Sequence, residues 1–260
     1  MVCDEFLFLD ELNDAAQAVT LPMFRGHLVV DSKGNEPGDF DPVTEADRQA
    51  ELTLRRLIMA RYPDDGIAGE EFPDHKPQAG RVWHLDPIDG TRQFVSGMPL
   101  WGTMIGLMQG GEPCLGSIAH PFTDERFYGG GGRSRYRRGG VDVPLHCRRC
   151  AGLGEATLFS TSPNLFRGDR SERFSRLSNS VKLTRFGVDC YAFCLVALGT
   201  IDMVVETGLD DHDIIAAVPI IEAAGGAVVD WQGRRARAGG DVLAVGDRRL
   251  IEPALRHLNG

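Results

Sequence analysis

Asp86-Pro87-Ile88-Asp89-Gly90-Thr91, preceded by Gly69-Glu70-Glu71, is the part of this 260-residue chain whose residue types and spacing can do chemistry. Residues 83–85 (Trp-His-Leu) read as a short buried strand that delivers Asp86 and Asp89 at its C-terminal end. Pro87 stiffens the turn between the two acids, and Gly90-Thr91 can open a helix with free backbone N–H groups. Carboxylates gathered beside such N–H groups suit hard cations that bridge to a phosphate. Phosphate chemistry assisted by a divalent metal is therefore the first reading. A lone D-x-x-D is usually a solvated turn, and a lone Gly-Glu-Glu an exposed loop, so the reading rests on their combination.

The surrounding elements must place these groups. Residues 5–24 carry helical apolar spacing, residues 27–30 (His-Leu-Val-Val) read as a strand, and a polar loop follows. Thr44 is a candidate N-cap with Asp47 three residues on, and a helix with Leu54, Leu57 and Ile58 runs to about Tyr62. From Trp101 two buried strands joined by a Gly-rich turn are expected, then another around Phe127. The run Arg133 to Arg138, flanked by glycines, reads as a solvated hairpin loop, and a lobe boundary is expected near residue 140. Beyond it, strands at residues 156–162, 180–187 and 201–207 alternate with helices at 191–198 and 213–224, the latter stopped by Gly225-Gly226. Late strands surround Val228 and Leu243, and a short helix closes the chain.

Composition narrows the class. An apolar fraction of 42% and a charged fraction of 25% are those of an ordinary globular protein. The net charge of −9 argues against a nucleic-acid partner. No apolar run reaches the ~18 residues of a membrane span, and the acidic N-terminus does not resemble a signal peptide. A cytoplasmic location is the default expectation. Six cysteines form no disulfide framework; Cys147-x-x-Cys150 behind His146 suggests zinc or redox chemistry, but no second pair completes a four-ligand set.

Four separated motifs, DPVTEADR, GEE, DPIDGT and HDIIAA…EAAGG, occur in the order and at the spacings of the inositol-monophosphatase superfamily, which the chain resembles over nearly its whole length. The resemblance implies an α+β fold, layered αβαβα, in two lobes (1–140 and 141–260) with the metal site between them, and a homodimer. It implies a Mg²⁺-dependent phosphatase of small phosphorylated metabolites, with two or three ions per site. Glu70, Asp86 and the Ile88 carbonyl would hold the first ion; Asp86, Asp89 and Asp213 the second. Gly90 and Thr91 would offer N–H groups to the phosphate. Asp47 and the Thr91 hydroxyl would pair to orient and deprotonate the attacking water. His84 and His212 flank the ligands and read as packing rather than as bases.

The segment from Gly187 to Tyr191 is similar to the histidinol-phosphate phosphatases of that superfamily. Asp189 and Glu206 would make the substrate pocket anionic, which favours a substrate bearing an ammonium and an imidazole over a neutral polyol. L-Histidinol phosphate is the implied substrate, and Asp189 pairing with Arg185 is the bland alternative. One departure stands before the last metal ligand, where Asp210-Asp211-His212 replaces a Lys-Pro-Tyr type sequence. Inositol monophosphate, fructose bisphosphate and 3′-phosphoadenosine phosphate remain rival substrates, the last two calling for basic residues such as Arg133 to Arg138.

Overall fold

This computed structural model describes residues 2–26, 30–32 and 42–260. Helices α1 (Val2–Met23) and α2 (Glu45–Arg61) flank a short antiparallel pair, β1 (Val30–Ser32) and β2 (Pro42–Thr44). The expected strand at residues 27–30 and the loop after it fall largely outside the described residues. Thr44 and Asp47 form the reciprocal cap anticipated for α2.

Among the described residues, seven strands make one sheet in sequence order: β3 (Gly66–Gly69), β4 (Arg81–Asp89), β5 (Gly102–Gln109), β6 (Glu112–His120), β7 (Glu125–Gly130), β8 (Arg133–Arg138) and β9 (Val141–Pro144). Helix α3 (Thr91–Ser96) leaves the end of β4. Residues 145–156 lead into a second sheet of order β11-β10-β12-β14-β13, with β10 (Thr157–Ser160), β11 (Leu183–Phe186), β12 (Met203–Leu209), β13 (Ala227–Asp230) and β14 (Gly240–Val245). Helices α4 (Asp169–Ser178), α5 (Tyr191–Ala197), α6 (Ala217–Ala223) and α7 (Ile251–Asn259) complete the chain.

Side-chain alternation stacks these elements in five layers. Leu9, Leu12, Leu54 and Ile58 of α1 and α2 pack with Ile105 and Leu107 on one face of the first sheet. Met104, which precedes Ile105 on β5 and points to the opposite face, joins α5, α6 and the inner residues Val204, Val242 and Ala244 of the second sheet. Met203, Val205, Leu243 and Val245 face the other way, onto α4 and α7. The order is α, β, α, β, α, as the resemblance implied.

Glycine brings the middle layer close. Gly106 pairs with Gly116, and Gly116 with Gly129, in a row across β5, β6 and β7. A Cβ on Gly116 would lie 2.1 Å from the Ala216 carbonyl oxygen, and one on Gly129 2.2 Å from the Cα of Ile220. The backbone around α6 therefore rests directly on the first sheet, which fixes the turn carrying Asp213.

Three local expectations change. Arg133–Arg138 is a strand, because Gly131-Gly132 and Gly139-Gly140 adopt positive φ and make tight turns on either side. Its Arg137 pairs with Asp10 and Asp142, and Arg135 with Asp142. Strand β4 continues through Pro87 to Asp89, with a register shift between Asp86 and Asp89 that accommodates the missing N–H. The helix expected at 213–224 begins at Ala217; Asp211–Asp213 is a separate 3₁₀ turn capped by Asp210.

Candidate active site

The bulged end of β4 aims two carboxylates into a cleft of about 920 Å³. Asp86 is 2% exposed, and its Oδ1 accepts the Ile88 N–H at 3.0 Å. Asp89 Oδ1 accepts the Cys190 N–H at 2.8 Å, tying β4 to the start of α5. Asp213 reaches the same place from its 3₁₀ turn, where Oδ2 accepts the Asp210 N–H at 2.7 Å. Oxygen atoms of Asp86, Asp89 and Asp213 all lie within 4.8 Å of one another.

Glu70 enters the cleft from the end of β3. Its N–H donates to the Leu85 carbonyl at 3.2 Å, and the next N–H, of Glu71, donates to Glu51 Oε2 at 2.8 Å. Glu51 is fully buried and paired with Arg55 at 2.7 Å, so α2 grips the Gly69-Glu70-Glu71 segment. Gly69 permits this approach, since a Cβ there would lie 2.2 Å from Glu51 Oε1. One turn earlier on α2, Asp47 Oδ2 accepts from the Thr44 N–H at 2.8 Å and the Thr44 hydroxyl at 2.5 Å. Asp47 Oδ1 is buried without a partner.

Gly90 takes φ 81 at the N-cap of α3, and the Thr91 hydroxyl donates to the Ile88 carbonyl at 3.0 Å. A six-residue helix does not hold itself together in water. Phe94 secures it, packing edge-on against Trp101 at 4.9 Å and beside Phe24, a burial contributing roughly 2–3 kcal/mol. Thr91 and Asp47 were expected to pair. The structure instead bonds Thr91 to Ile88 and Asp47 to Thr44, a residue sequence reasoning treated only as a cap.

Burial first, and then Glu70, Asp89, Asp213 and Asp47, hold the Asp86 carboxyl well above the carboxylate range. Burial and the neighbouring Asp189 and Asp213 do the same to Asp89. Burial pushes Asp47 and Asp213 each up to about 6. Among the described residues no lysine or arginine forms an ion pair with Asp86, Asp89 or Asp213. The donors are all oxygen, so Glu70, Asp86, the Ile88 carbonyl, Asp89 and Asp213 fit a hard divalent cation.

The opposite wall carries acceptors. Asp189 has φ 39, a strained value for a residue with a Cβ. Its Oδ2 would lie 2.9 Å from a Cβ on Gly90, and Gln93 Oε1 3.1 Å from the same point. Gln93 Nε2 donates to the Gly187 carbonyl at 3.2 Å. Gln93 Oε1 and Asp189 Oδ1 are both buried and unpartnered. Burial raises the Asp189 carboxyl against the opposing pull of Thr161, Gln93 and Arg92. Glu206 accepts the Thr161 N–H at 2.6 Å, and burial pushes it up to about 8. Gln93 escaped the sequence reading. Its signal was a long amide two residues past Thr91, where the turn of α3 returns it to the Gly90 side.

Among the described residues, the ligand atoms of His146, Cys147 and Cys150 do not gather into a group that could hold a metal. Cys147 and Cys150 are reduced, with thiols directed to the carbonyls of Ile221 and Gly152. No helix among the described residues is long and apolar enough to cross a membrane.

Comparison with known proteins agrees with this geometry. The inositol monophosphatase family profile matches residues 5–259. The chain is 38% identical to the bifunctional phosphatase IMPL2 of Arabidopsis thaliana, over 95% of its own length and 72% of the relative's. It is 37% identical to the histidinol-phosphatase of Chlorobaculum parvum, over 90% and 88% of the two chains. Among solved structures, an inositol monophosphatase from Zymomonas mobilis superposes with a TM-score of 0.88 at 39% identity, covering 99% and 98% of the chains. Whole-length agreement in sequence and fold, with the acidic cleft in place, makes the chain a phosphatase of the inositol monophosphatase family.

Proposed function

We propose that this chain hydrolyses L-histidinol phosphate to L-histidinol and phosphate, a step of histidine biosynthesis, with two or three Mg²⁺ ions. The observation that carries the substrate is the set of acceptors in the cleft lining: Gln93 Oε1 and Asp189 Oδ1, buried and unpartnered, with Glu206 lining the same cleft. Unmet buried acceptors are costly. A substrate bearing an ammonium and an imidazole satisfies them with charge-assisted hydrogen bonds. The 37% identity to a histidinol-phosphatase supports the same choice.

Glu70, Asp86 and the Ile88 carbonyl would hold one ion; Asp86, Asp89 and Asp213 another. Bound there, the cations supply Lewis acidity toward phosphate and water. Gly90 and Thr91 present N–H groups to the phosphate at the start of α3. Asp47, with Oδ1 free and its pKa lifted to about 6, accepts the proton of the attacking water, and the Thr91 hydroxyl orients that water. Lobes 1–140 and 141–260 bracket the substrate, and the family resemblance supports a cytoplasmic homodimer.

Inositol monophosphate is the second reading, favoured by the 39% identity to the Zymomonas mobilis protein. The bisphosphate readings lose some support, because Arg135 and Arg137 of β8 are paired with Asp142, and Arg137 also with Asp10. The test compares kcat/KM for L-histidinol phosphate and inositol 1-phosphate under Mg²⁺. A preference of roughly a hundredfold (about 2.7 kcal/mol) for the former is expected. Asp189→Ala should erode that preference; equal losses on both substrates would remove the histidinol assignment while leaving the metal chemistry.

A further inference from the structure

Asp47, Glu51 and Arg55 recur every four residues along α2, so one face of the helix carries all three, and all three are buried. Asp47 belongs to the site, where Glu70 acts on it through space. Glu51 and Arg55 do not line the catalytic cleft. Every polar side-chain atom of that pair is nonetheless engaged. Arg55 Nε donates to Glu51 Oε1 at 2.7 Å, Nη2 to the Phe72 carbonyl at 2.9 Å and Nη1 to the Pro73 carbonyl at 3.1 Å. Glu51 Oε2 accepts the Glu71 N–H at 2.8 Å. One ion pair thus holds three consecutive residues, 71–73, immediately after Glu70.

Glu70 has need of such a hold. Oxygen atoms of Asp86, Asp89 and Asp213 gather within 4.8 Å of one another without it, whereas Glu70 acts on Asp47, Asp86 and Asp213 through space. Its segment leaves β3 at Gly69, and no helix or strand follows until β4 begins at Arg81. The Glu70 N–H bond to the Leu85 carbonyl fixes where the segment starts, and the ion pair fixes where it goes next. A buried ion pair adds little stability over apolar residues of similar volume. Its contribution here is the placement of what it grips.

We propose that Glu51 and Arg55 are positioning residues for Glu70: α2 sets the Glu70 carboxylate relative to Asp47 so that Glu70 and Asp86 meet one divalent cation. The proposal rests on the reading of Glu70 as a metal ligand. Substitution at either position breaks the arrangement for a definite reason. A glutamine at 51 presents one acceptor and one donor where two donors, Arg55 Nε and the Glu71 N–H, must be met. A lysine at 55 lacks the fork that reaches Glu51, Phe72 and Pro73 together.

The test is Mg²⁺ binding to the metal-free full-length enzyme, followed by calorimetry and set beside the melting temperature in EDTA. Glu51→Gln should weaken the tightest Mg²⁺ site about tenfold or more. Glu51→Leu combined with Arg55→Met replaces the pair with apolar volume. That double variant should melt near the wild-type temperature and show the same loss of affinity. Wild-type affinity in either folded variant overturns the inference. Added to Glu70→Gln, the Glu51→Gln change should weaken binding no further, because the ligand it positions is gone. A further loss of similar size would show the pair acting on the fold at large and would also overturn it. Glu70→Gln alone checks the underlying reading. Wild-type affinity there removes Glu70 as a ligand and the inference with it; a loss there without one in the Glu51 variants removes only the positioning role.

Discussion

Asp202 and Glu206 stand four residues apart, one just before β12 and one in its middle, and are 1% and 2% exposed. Their environments diverge. Asp202 receives Arg148 through two nitrogens, at 2.7 and 2.5 Å, and the Thr157 N–H at 2.7 Å. Burial alone would push its carboxyl up, but Arg148 and Thr157 outweigh it and hold the group below the carboxylate range. Among the described residues Glu206 receives the Thr161 N–H at 2.6 Å and a long contact from the Ser160 hydroxyl but no cation, and burial takes it up to about 8. The first acid is neutralised from within and clamps the residue 145–156 segment to both β10 and β12. The second belongs with Asp86, Asp89 and Asp213, carboxylates whose compensation is left to what binds between the sheets. Equal burial therefore separates structural from functional acids only when the counter-charge is counted.

Substitutions can break or sharpen that contrast. Asp86→Asn should have the largest effect, lowering kcat by roughly a thousandfold or more (about 4 kcal/mol) through loss of the metal cluster. The same change should raise the melting temperature measured in EDTA, because it removes a buried, repelled charge; a lower value would contradict the absence of internal compensation. Asp202→Ala should do the opposite. Unfolding free energy falls by about 3 kcal/mol as Arg148 and the Thr157 N–H lose their partner, while kcat changes little, as urea denaturation and steady-state assays would show.

Glu206 offers a pH test. Its folded pKa lies above its unfolded value, so the folded state keeps a proton that the unfolded state releases between pH ~4.5 and ~8. Metal-free stability should fall across that window, by something on the order of a few kcal/mol. Glu206→Gln should flatten that part of the slope in denaturant titrations at pH 5 and pH 8, and an unchanged slope would place the titration elsewhere. The smallest effect is expected for Arg148→Lys, which keeps the charge but not the fork, and should cost about 1 kcal/mol in the same assay.

Legibility in the sequence tracks the range of the interactions. The Thr44–Asp47 cap spans three residues and was visible as a spacing. So was the D-P-I-D-G-T turn, whose carboxylates and αL glycine need no distant partner to be recognised. Arg133–Arg138 was misread because arginine among glycines looks like a loop, while its strand depends on pairing with β7 and β9 and on Asp10, which lies more than a hundred residues earlier in the chain. Gln93 went unnoticed because its importance comes from Asp189, brought over Gly90 by the other sheet.

The five-layer order was implied by the resemblance of the motifs; by itself the sequence determined the kind of chemistry, hard oxygen donors at a strand end and backbone N–H groups for phosphate. These follow from residue type and short-range periodicity, which survive without knowledge of the fold. Only the tertiary structure decided which acids are paired and which are open. Asp202 and Glu206 look alike along the chain. Their difference arises because desolvation and counter-charge are set by neighbours that the glycine row, the β4 bulge and the 3₁₀ turn bring together from far apart.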